Sequence, residues 1–382
     1  MNSIAIIEPV GGHGGMNYYD FGLARGLSAS DCKVFVYTSE ETIVTEGLPF
    51  IVKKTFKGIW GKTPKLLRAF RFVYCLFTSL RDAKINNVAI VHYHFFHYTS
   101  LESLCVKLAK MYGFKVVVTA HDVESFSGER DVVKAREILL YSNKVIAHNE
   151  VSKNELVSKI SLPLSLISVI PHGNYLDSIT DFPKKTAARR AIGFSSSDKI
   201  ILFFGQIKKV KGLDVLLRSL PEVIQVYPDV KLVIAGKVWK DDFSFYEKII
   251  KENCLDNNII SHIHYIPDDA VENYYCSADL IVLPYKKIYQ SGVLLMAMSY
   301  KVPVLTSDIA GMTEIITDNK NGYIFESENE KSLSSKLIDI FSKQKQLMLI
   351  GKEGFNTVKR DYDWNKIGFM TSEVYRELDS DE

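Results

Sequence analysis

The sequence predicts an α/β fold with two domains, each built on a parallel β-sheet flanked by helices. The length of 382 residues suits two hydrophobic cores better than one, and a hydrophobic content of 47% is ample for both. Short apolar runs such as Ser3–Pro9 and Ile200–Phe204 are typical of strands buried on both faces. Glycine-containing loops and helical patterns follow both runs, which is the order of elements in a βα unit.

The composition limits the class of protein. A net charge of +2 is too small for a nucleic-acid binder, so we expect no nucleic-acid partner. The five cysteines are scattered without the spacing of a metal site, as in proteins of a reducing compartment. Because the chain begins directly on a strand and no apolar segment is long enough to span a bilayer, we expect a cytoplasmic protein.

Changes in composition mark the domain boundaries. We place the first domain at residues 1–176, a polar interdomain linker at residues 177–198 and the second domain at residues 199–363. The linker contains Pro183 and a run of basic residues, which is typical of an exposed connection. A periodic apolar pattern predicts a final helix over residues 364–378.

The second domain opens with the stretch on which the functional interpretation depends. Gly205 ends the strand Ile200–Phe204, and the lysines 208, 209 and 211 follow in a short loop before Gly212 and a helical pattern. A helix N-terminus offers unpaired amide groups and lysines add full charges, so this arrangement predicts a phosphate site. Taken alone, the motif suits equally well an ordinary βα turn with solvated lysines.

A later stretch has a similar layout. The strand Leu280–Pro284 is followed by a loop, Gly292, an apolar helix, a strand over residues 302–306 and a turn at Gly311. Together the two stretches resemble the C-terminal half of the family 4, or group 1, glycosyltransferases, which have the GT-B fold. The resemblance extends over nearly the whole chain and implies two Rossmann-like, doubly wound domains that face a cleft. It also implies that the helix at residues 364–378 packs back on the first domain.

The resemblance implies how a nucleotide-sugar donor is held. Lys211 matches the lysine of the family's Lys-Gly pair, and Lys208 takes the place of the basic residue before it. Gln206 stands where many members have arginine. The two lysines, with Gly205 and the helix that begins near Gly292, would stabilise the departing diphosphate without a metal ion.

This sequence also departs from the family pattern. The family carries two glutamates that flank the loop and helix under the donor, but the matching positions here are Ile288 and Met296. Gln290 and Ser291 would supply polar contacts instead, so the chain resembles a subgroup that binds the ribose differently. A strand predicted at Ile263–Pro267 would carry the two residues that face the nucleotide base. The donor-binding residues implied by the resemblance are Gly15, Gly205, Gln206, Tyr265, Ile266, Gln290, Ser291, Gly292, Val293 and Glu314.

The glycine-rich loop at residues 10–15 follows the first strand. A dinucleotide-binding loop is the alternative, but the spacing of the glycines is poor and no acidic residue ends the next strand. By resemblance the loop lies across the cleft, with Gly15 towards the donor and His13 towards the acceptor.

The strand Lys115–Ala120 delivers His121 and Asp122 at its carboxyl end, where open α/β sheets place ligands. This pattern resembles the strand end of the family at which a histidine lies near the sugar. We therefore expect His121 to act in catalysis with the two lysines, and Asp122 and Glu124 to contact the acceptor. A buried structural histidine is the alternative for His121.

Three histidines, His92, His94 and His97, lie close together at another strand end. His92 and His94 share one face of a strand, but the sequence shows no cysteine or carboxylate that would complete a tetrahedral site. The Asp-x-Asp strings at residues 361–363 and 379–381 do not follow a strand of the nucleotide domain. We therefore predict no metal site.

Residues 52–84 have an unusual composition. Nine basic residues stand against the single acid Asp82 and alternate with aromatic and aliphatic residues, and an apolar stripe predicts a helix over residues 65–81. Such a segment suits an anionic membrane surface or a pyrophosphate-linked lipid acceptor. A helix packed on the core with a solvated basic face is an equally good interpretation.

These observations predict a glycosyltransferase that moves a sugar from a UDP- or GDP-linked donor to a glycan or lipid-linked glycan acceptor. The resemblance implies retention of the anomeric configuration and no cofactor. We expect a role in surface polysaccharide biosynthesis, at the inner face of the cytoplasmic membrane. One alternative, a nucleotide-sugar epimerase, would need carboxylates that are scarce here. The other is a catalytically inactive GT-B protein that binds sugar nucleotide or a partner transferase. The missing glutamates favour this alternative, and the intact Lys211 argues against it.

Overall fold

The computed structural model describes residues 3–12, 15–61, 63–121, 132–179, 181–195, 197–240 and 242–380. The chain divides into two compact units, of which the first comprises Met1–Gly173 with Tyr362–Glu382 and the second Asn174–Asp361. Each unit contains one parallel sheet flanked by helices, which confirms the predicted fold class.

The strands and helices of the first unit alternate along the chain. In order they are β1 (Ser3–Glu8), α1 (Met16–Ala29), β2 (Lys33–Ser39), β3 (Ile51–Phe56), α2 (Lys65–Ile85), β4 (Ile90–Phe95), α3 (Ser100–Met111), β5 (Lys115–Ala120), α4 (Val132–Leu140), β6 (Lys144–Ala147), α5 (Glu150–Ser158) and β7 (Ile167–Val169).

The second unit repeats this alternation. Its elements are α6 (Lys185–Ala191), β8 (Lys199–Phe204), α7 (Leu213–Val226), β9 (Val230–Ala235), α8 (Ser244–Glu252), β10 (Ile259–His262), α9 (Asp268–Ser277), β11 (Leu280–Leu283), α10 (Gly292–Ser299), β12 (Val304–Ser307), α11 (Ala310–Thr313), β13 (Tyr323–Phe325), α12 (Glu330–Ser342) and α13 (Gln344–Asp361). The last helix, α14 (Trp364–Ser380), belongs to the first unit.

Both sheets have the strand order of a doubly wound fold. The first runs β3-β2-β1-β4-β5-β6-β7 and the second β10-β9-β8-β11-β12-β13, with parallel pairing throughout. The order reverses between β1 and β4 in the first unit and between β8 and β11 in the second. In open α/β sheets ligands bind beyond the carboxyl ends of strands at such a reversal. The two reversals therefore locate the candidate sites.

Helix α14 packs on α1 through small residues. A Cβ atom on Gly22 would lie 2.1 Å from the ring of Trp364, and one on Gly26 would lie 1.9 Å from the Trp364 carbonyl oxygen. A Cβ atom on Gly368 would in turn meet the backbone of Gly26 at 2.0 Å. Only glycine permits this approach, so these positions join the C-terminal helix to the first unit.

The segment expected to be a linker, residues 177–198, lies within the second unit. It contains α6, whose Arg189 is buried and donates a hydrogen bond of 2.5 Å to Asp279. Lys185 of the same helix pairs with Asp279 at 2.5 Å. Two cations on one carboxylate hold α6 against the strand that begins beside Asp279.

One local prediction was wrong. Residues 263–267 form no strand; the strand is β10, four residues earlier in the chain, and it pairs with β9. Pro267 directly precedes α9 and has no amide hydrogen to donate to a neighbouring strand. The residues before it therefore do not extend the hydrogen bonding of β10 with β9. The basic stretch also contains the edge strand β3, where two lysines masked the pattern.

Among the described residues, no helix combines the length and the apolar character that crossing a bilayer would require.

Candidate active site

The candidate site of the second unit lies at the carboxyl ends of β8 and β11. Gly205 directly follows β8 with φ 101°, and Gly212 precedes α7 with φ 67°. A Cβ atom on Gly212 would lie 1.8 Å from the carbonyl oxygen of Pro284, which follows β11. The Lys286 amide also donates to the Val210 carbonyl at 2.9 Å. The loops after the two strands are therefore in direct backbone contact.

Replacing Gly212 with alanine is expected to lower the free energy of unfolding by about 2–4 kcal/mol. The residue would hold a left-handed conformation and its Cβ would collide with backbone rather than with a side chain that can move. Gly193 is the matched control, because its φ is +85° and nothing lies within 4 Å of its Cβ position. Gly193→Ala should cost only about 1 kcal/mol in chemical denaturation. Equal losses in both variants would contradict the close approach.

Two lysines of this loop lie against aromatic rings. The Lys211 ammonium is 3.7 Å from the ring centroid of Tyr285, and the Lys208 ammonium is 5.0 Å from that of Trp239. Burial raises the pKa of Tyr285, so its ring is neutral at physiological pH. Cation–π contacts of this kind orient an ammonium group without neutralising its charge. Both ammonium groups thus lie against aromatic rings beside the end of β8.

The N-terminus of α10 approaches the same loop. Ser291 caps the helix, and its hydroxyl oxygen accepts a hydrogen bond of 3.2 Å from the Leu294 amide. A Cβ atom on Gly205 would lie 3.3 Å from a methyl group of Val293. The first amides of α10 therefore lie close to the end of β8, and they add the partial positive charge of a helix N-terminus.

The positions that match the family's glutamates carry no charge in this site. Ile288 is buried, and its carbonyl oxygen would be 2.6 Å from a Cβ atom on Gly311. Met296 is half-buried within α10. Two carboxylates that the sequence did not single out, Asp214 and Glu328, contact Lys286 at 2.8 Å and 3.8 Å. Lys286 thereby braces the loop after β11 against α7, a role that the Tyr-Lys-Lys sequence does not reveal.

Three of the expected donor-binding residues lie outside the loops after β8 and β11, and they differ in how exposed they are. Tyr265 is 63% exposed and its hydroxyl donates to Asp268 at 3.4 Å, whereas Ile266 is buried. Both precede α9 instead of ending a strand. Glu314 is exposed and follows α11, with its amide bonded to the Ala310 carbonyl, so it lies at the end of that helix and not at its start.

In the first unit His121 follows β5 and is buried among other histidines. Its Nδ1 is 3.2 Å from Nε2 of His148, and its ring stacks on Phe96 at a centroid distance of 4.4 Å. Within the described part of the chain, no group hydrogen-bonds its Nε2 atom. Burial holds the pKa of His121 well below its usual range. The side chain is therefore a neutral hydrogen-bonding group with one open position.

Tyr19 of α1 lies at the centre of this cluster. Its ring centroid is 4.8–5.6 Å from those of His94, His121, His148 and His172. Burial lowers the pKa of His94 to about 4, that of His148 to about 3 and that of His172 to about 4. The cluster is therefore uncharged at neutral pH. Sequence analysis singled out only some of these histidines, because they come from different strand ends.

Two carboxylates lie near His94, where the sequence predicted none. Its Nδ1 lies 2.9 Å from Asp20 Oδ1 and 3.8 Å from Glu8 Oε2, and both acids come from other parts of the chain. His97 is exposed and lies outside this group. Gly15 precedes α1 with φ 79°. The expected acceptor residues His13, Asp122 and Glu124 lie outside the described residues.

Comparisons with known proteins agree with this architecture. The model of the family described as Glycosyltransferase Family 4 matches residues 13–177, and that described as Glycosyl transferases group 1 matches residues 184–357. The D-inositol 3-phosphate glycosyltransferase of Paenarthrobacter aurescens is 23% identical over 96% of this chain and 94% of its own. With two other curated relatives, the matches cover only 48% and 65% of the relative's length.

Solved structures share the fold at low sequence identity. Sucrose-phosphate synthase from Thermosynechococcus elongatus superposes with a TM-score of 0.78 at 18% identity, over 100% of both chains. Anabaena Alr3699/HepE in complex with UDP-glucose gives a TM-score of 0.77 at 14% identity, over 99% of this chain and 100% of its own.

The two family models together span both units, and the chain belongs to the group 1 glycosyltransferases of family 4, with the GT-B fold. This confirms the family resemblance seen in the sequence.

Proposed function

We propose that this chain transfers a hexosyl group from a nucleotide-sugar donor, bound at the loops after β8 and β11, to a glycan or lipid-linked glycan acceptor. One observation carries the proposal: Gly205, Lys211 and the N-terminus of α10 converge at the strand-order reversal of the second unit. Backbone amides, a helix N-terminus and ammonium groups are the donors that a diphosphate accepts.

The chemistry asked of this site is stabilisation of the departing diphosphate. Negative charge develops on the leaving oxygen, and preoriented cations and amides stabilise it without reorganising. In this proposal Lys208, Lys211 and the first amides of α10 take that role, so that no metal ion is required there. Gln206, which is exposed, and Gln290, which is half-buried, would bind the phosphates and sugar.

The stereochemical course is proposed to be retention. The acceptor hydroxyl would lose its proton to the leaving phosphate, so no side chain of this chain serves as nucleophile. His121 is neutral and has an open Nε2 position among the described residues, which suits a hydrogen bond to a sugar hydroxyl. Its proposed role is to hold the sugar rather than to move charge.

The donor is proposed to be a UDP- or GDP-linked sugar, with the base against Tyr265 and Ile266. A neighbour of the same fold was solved with UDP-glucose, which makes UDP sugars the first candidates. The absence of carboxylates at Ile288 and Met296 means that ribose is bound by other groups. Gln290, Ser291 and Glu314 are the polar candidates.

Helix α2 supports a lipid-linked acceptor at a membrane surface. Leu66 and Phe70 are 88% and 71% exposed, and Tyr74 and Phe77 continue the same exposed stripe. Basic residues on the helix, including Arg81 and Lys84, are also exposed. An exposed apolar stripe beside basic residues binds anionic lipid headgroups and inserts shallowly. We propose that α2 holds the enzyme at the inner face of the cytoplasmic membrane during surface polysaccharide biosynthesis.

The double variant Leu66→Ser/Phe70→Ser is expected to bind anionic vesicles at least about 10-fold more weakly, because it removes two apolar anchors. The measurement is cosedimentation with phosphatidylglycerol vesicles. Met348→Ser/Leu349→Ser on α13 is the control, because those side chains are also exposed, at 71% and 66%. A membrane role for α2 would be contradicted if the two double variants bound vesicles equally weakly. It would also be contradicted if both variants bound as tightly as the native protein.

The function is tested by thermal unfolding with UDP, GDP, ADP and their common sugar conjugates, with EDTA present. A nucleotide at 100 times its Kd stabilises the folded state by about 2.7 kcal/mol. A shift with one nucleotide, followed by sugar transfer or donor hydrolysis, supports the proposal. A shift without turnover favours the inactive alternative, which the uncharged Ile288 and Met296 positions support. No shift with any nucleotide contradicts the proposed site.

A further inference from the structure

Three ionisable side chains meet at the strand-order reversal of the first unit. Glu8 is the last residue of β1, His94 lies near the end of β4, and these strands pair in parallel with Ile7 opposite Tyr93. Asp20 comes from α1. Glu8 and Asp20 are each only 1% exposed, and His94 is also buried. The group therefore occupies the place where this fold binds ligands.

The described part of the chain does not satisfy every polar atom of this group. Burial raises the pKa of Glu8 to about 8 and raises that of Asp20 well above its usual range, while it lowers that of His94 to about 4. Glu8 Oε1 accepts the Val10 amide, but Oε2 has no hydrogen-bond partner among the residues that the structure describes. Leaving a buried polar atom without a hydrogen-bond partner is unfavourable. A cation would satisfy both carboxylates at once.

The spacing of the three side chains suits a small metal ion. His94 Nδ1 is 2.9 Å from Asp20 Oδ1 and 3.8 Å from Glu8 Oε2. One ligand atom from each residue lies within 4.8 Å of the others. Around a tetrahedral ion with bonds of about 2.0 Å, neighbouring ligand atoms lie about 3.3 Å apart. This separation falls between the distances from His94 Nδ1 to the Asp20 and Glu8 oxygens. Modest side-chain movements would complete the coordination.

A cavity leads to this group. It has a volume of about 330 Å³, and its lining includes Glu8, His94, Trp60, Lys65 and Arg68. Arg68 Nε is buried and lacks a hydrogen-bond partner among the described residues. The cavity gives an ion a route of entry and room for a further ligand, and its two cations favour an anionic one.

We propose that Glu8, Asp20 and His94 bind one divalent first-row metal ion, best matched by Zn²⁺, with the fourth coordination position facing this cavity. Zinc takes imidazole nitrogen and carboxylate oxygen atoms as ligands, and a site with three protein ligands keeps a fourth position open. Binding would release the carboxyl protons, and the two ionised carboxylates would then neutralise the ion. The site belongs to the first unit and is separate from the donor loops of the second. It goes beyond the proposed function, and it does not depend on glycosyl transfer.

The test is calorimetric titration of EDTA-stripped, dialysed full-length protein with Zn²⁺. The expected result is one equivalent bound, with an affinity at least about 100-fold weaker in Glu8→Gln and His94→Gln. Replacement by Co²⁺ should give the visible absorption of a four-coordinate site in the native protein only. Circular dichroism identifies the variants that keep the native fold, and Asp20→Asn replaces either one that does not.

His264→Gln is the control for binding at the surface. His262 and His264 of the second unit have ring centroids 6.2 Å apart and His264 is exposed, so this pair offers imidazole groups to zinc at the surface. One equivalent retained in His264→Gln and lost in the folded Glu8 or His94 variant supports the proposal. Absence of stoichiometric binding, or binding that survives in His94→Gln, overturns it and leaves the group as a proton-sharing triad. Because nucleotide binding is assayed with EDTA present, failure of one proposal is distinguishable from failure of the other.

Discussion

The Lys211→Ala enzyme is expected to show a kcat for sugar transfer about 100- to 1,000-fold below that of the native protein. Removing one preoriented group that stabilises developing negative charge typically has this effect. The ammonium of Lys211 is held 3.7 Å from the Tyr285 ring, beside the glycine contact that joins the loops after β8 and β11. Water cannot replace a charge held in that position. Steady-state release of the nucleotide product is the measurement.

Lys209→Ala is the matched control for this variant. Lys209 lies in the same short turn as Lys211 but is exposed, so its loss should change kcat less than about 3-fold. The nucleotide-dependent rise in unfolding temperature should vanish in Lys211→Ala and persist in Lys209→Ala. The free energy of unfolding without nucleotide should change by no more than about 1 kcal/mol, the value of a cation–π contact. Equal activity losses in both variants would mean that general charge, and not position, matters.

Acidification from pH 6.5 to pH 5.5 is expected to lower the unfolding temperature of the first unit by about 10 °C. Burial holds the pKa values of His92, His94, His121, His148 and His172 below the ordinary value of 6.5. The unfolded chain therefore takes up protons first. The stability that these histidines contribute is present above pH 6.5 and is lost as the pH falls towards about 4, at about 1.4 kcal/mol per pH unit for each group.

Glu8 and Asp20 act in the opposite direction. Their pKa values are raised, that of Glu8 from 4.5 to about 8, so the folded state takes up their protons first and gains stability as the pH falls through that window. Five histidines against two carboxyl groups leave a net uptake of about three protons on unfolding, or at most about 4 kcal/mol per pH unit. For a unit of this size, 1 kcal/mol corresponds to about 2–4 °C.

Calorimetry with EDTA present, at pH values from 7.5 to 5.0, measures this dependence. His148→Gln should reduce the slope by about one proton, because it removes one of the buried groups that titrate on unfolding. His264→Gln, which changes an exposed residue of the second unit, should leave the slope of the first unit unchanged. A transition temperature that is constant between pH 6.5 and pH 5.5 would mean that unfolding takes up no net protons, and it would contradict the predicted excess of about three.

The sequence alone was enough to predict the two parallel-sheet units and the family. Continuous apolar runs form the strands because both faces of each sheet are covered by helices, and the glycines after β8 and before α7 do have positive φ. The sequence also identified the Lys-Gly pair and the start of α10 at Ser-Gly. These features depend on neighbours in the chain, so a local pattern is sufficient to specify them.

Other features depend on which strands become neighbours in space. We predicted strand β10 four residues too late, because this short strand has only a weak apolar pattern. Its bounds are set by its pairing with β9. His94 and Asp20 are 74 positions apart, and His92 reaches Tyr375 across 283 positions. No pattern within a short window records such contacts.

Local patterns in the sequence were sufficient for the class of fold and the family, and they predict a phosphate site at the loop Lys208–Lys211. Only the tertiary structure decided that Glu8 and Asp20 lie beside His94 and that five buried histidines are neutral. The reason is physical: the strand order β2-β1-β4-β5 and the packing of α1 bring residues from separate strand ends into one desolvated volume. Their ionisation there depends on that burial, which the chain acquires only when it folds.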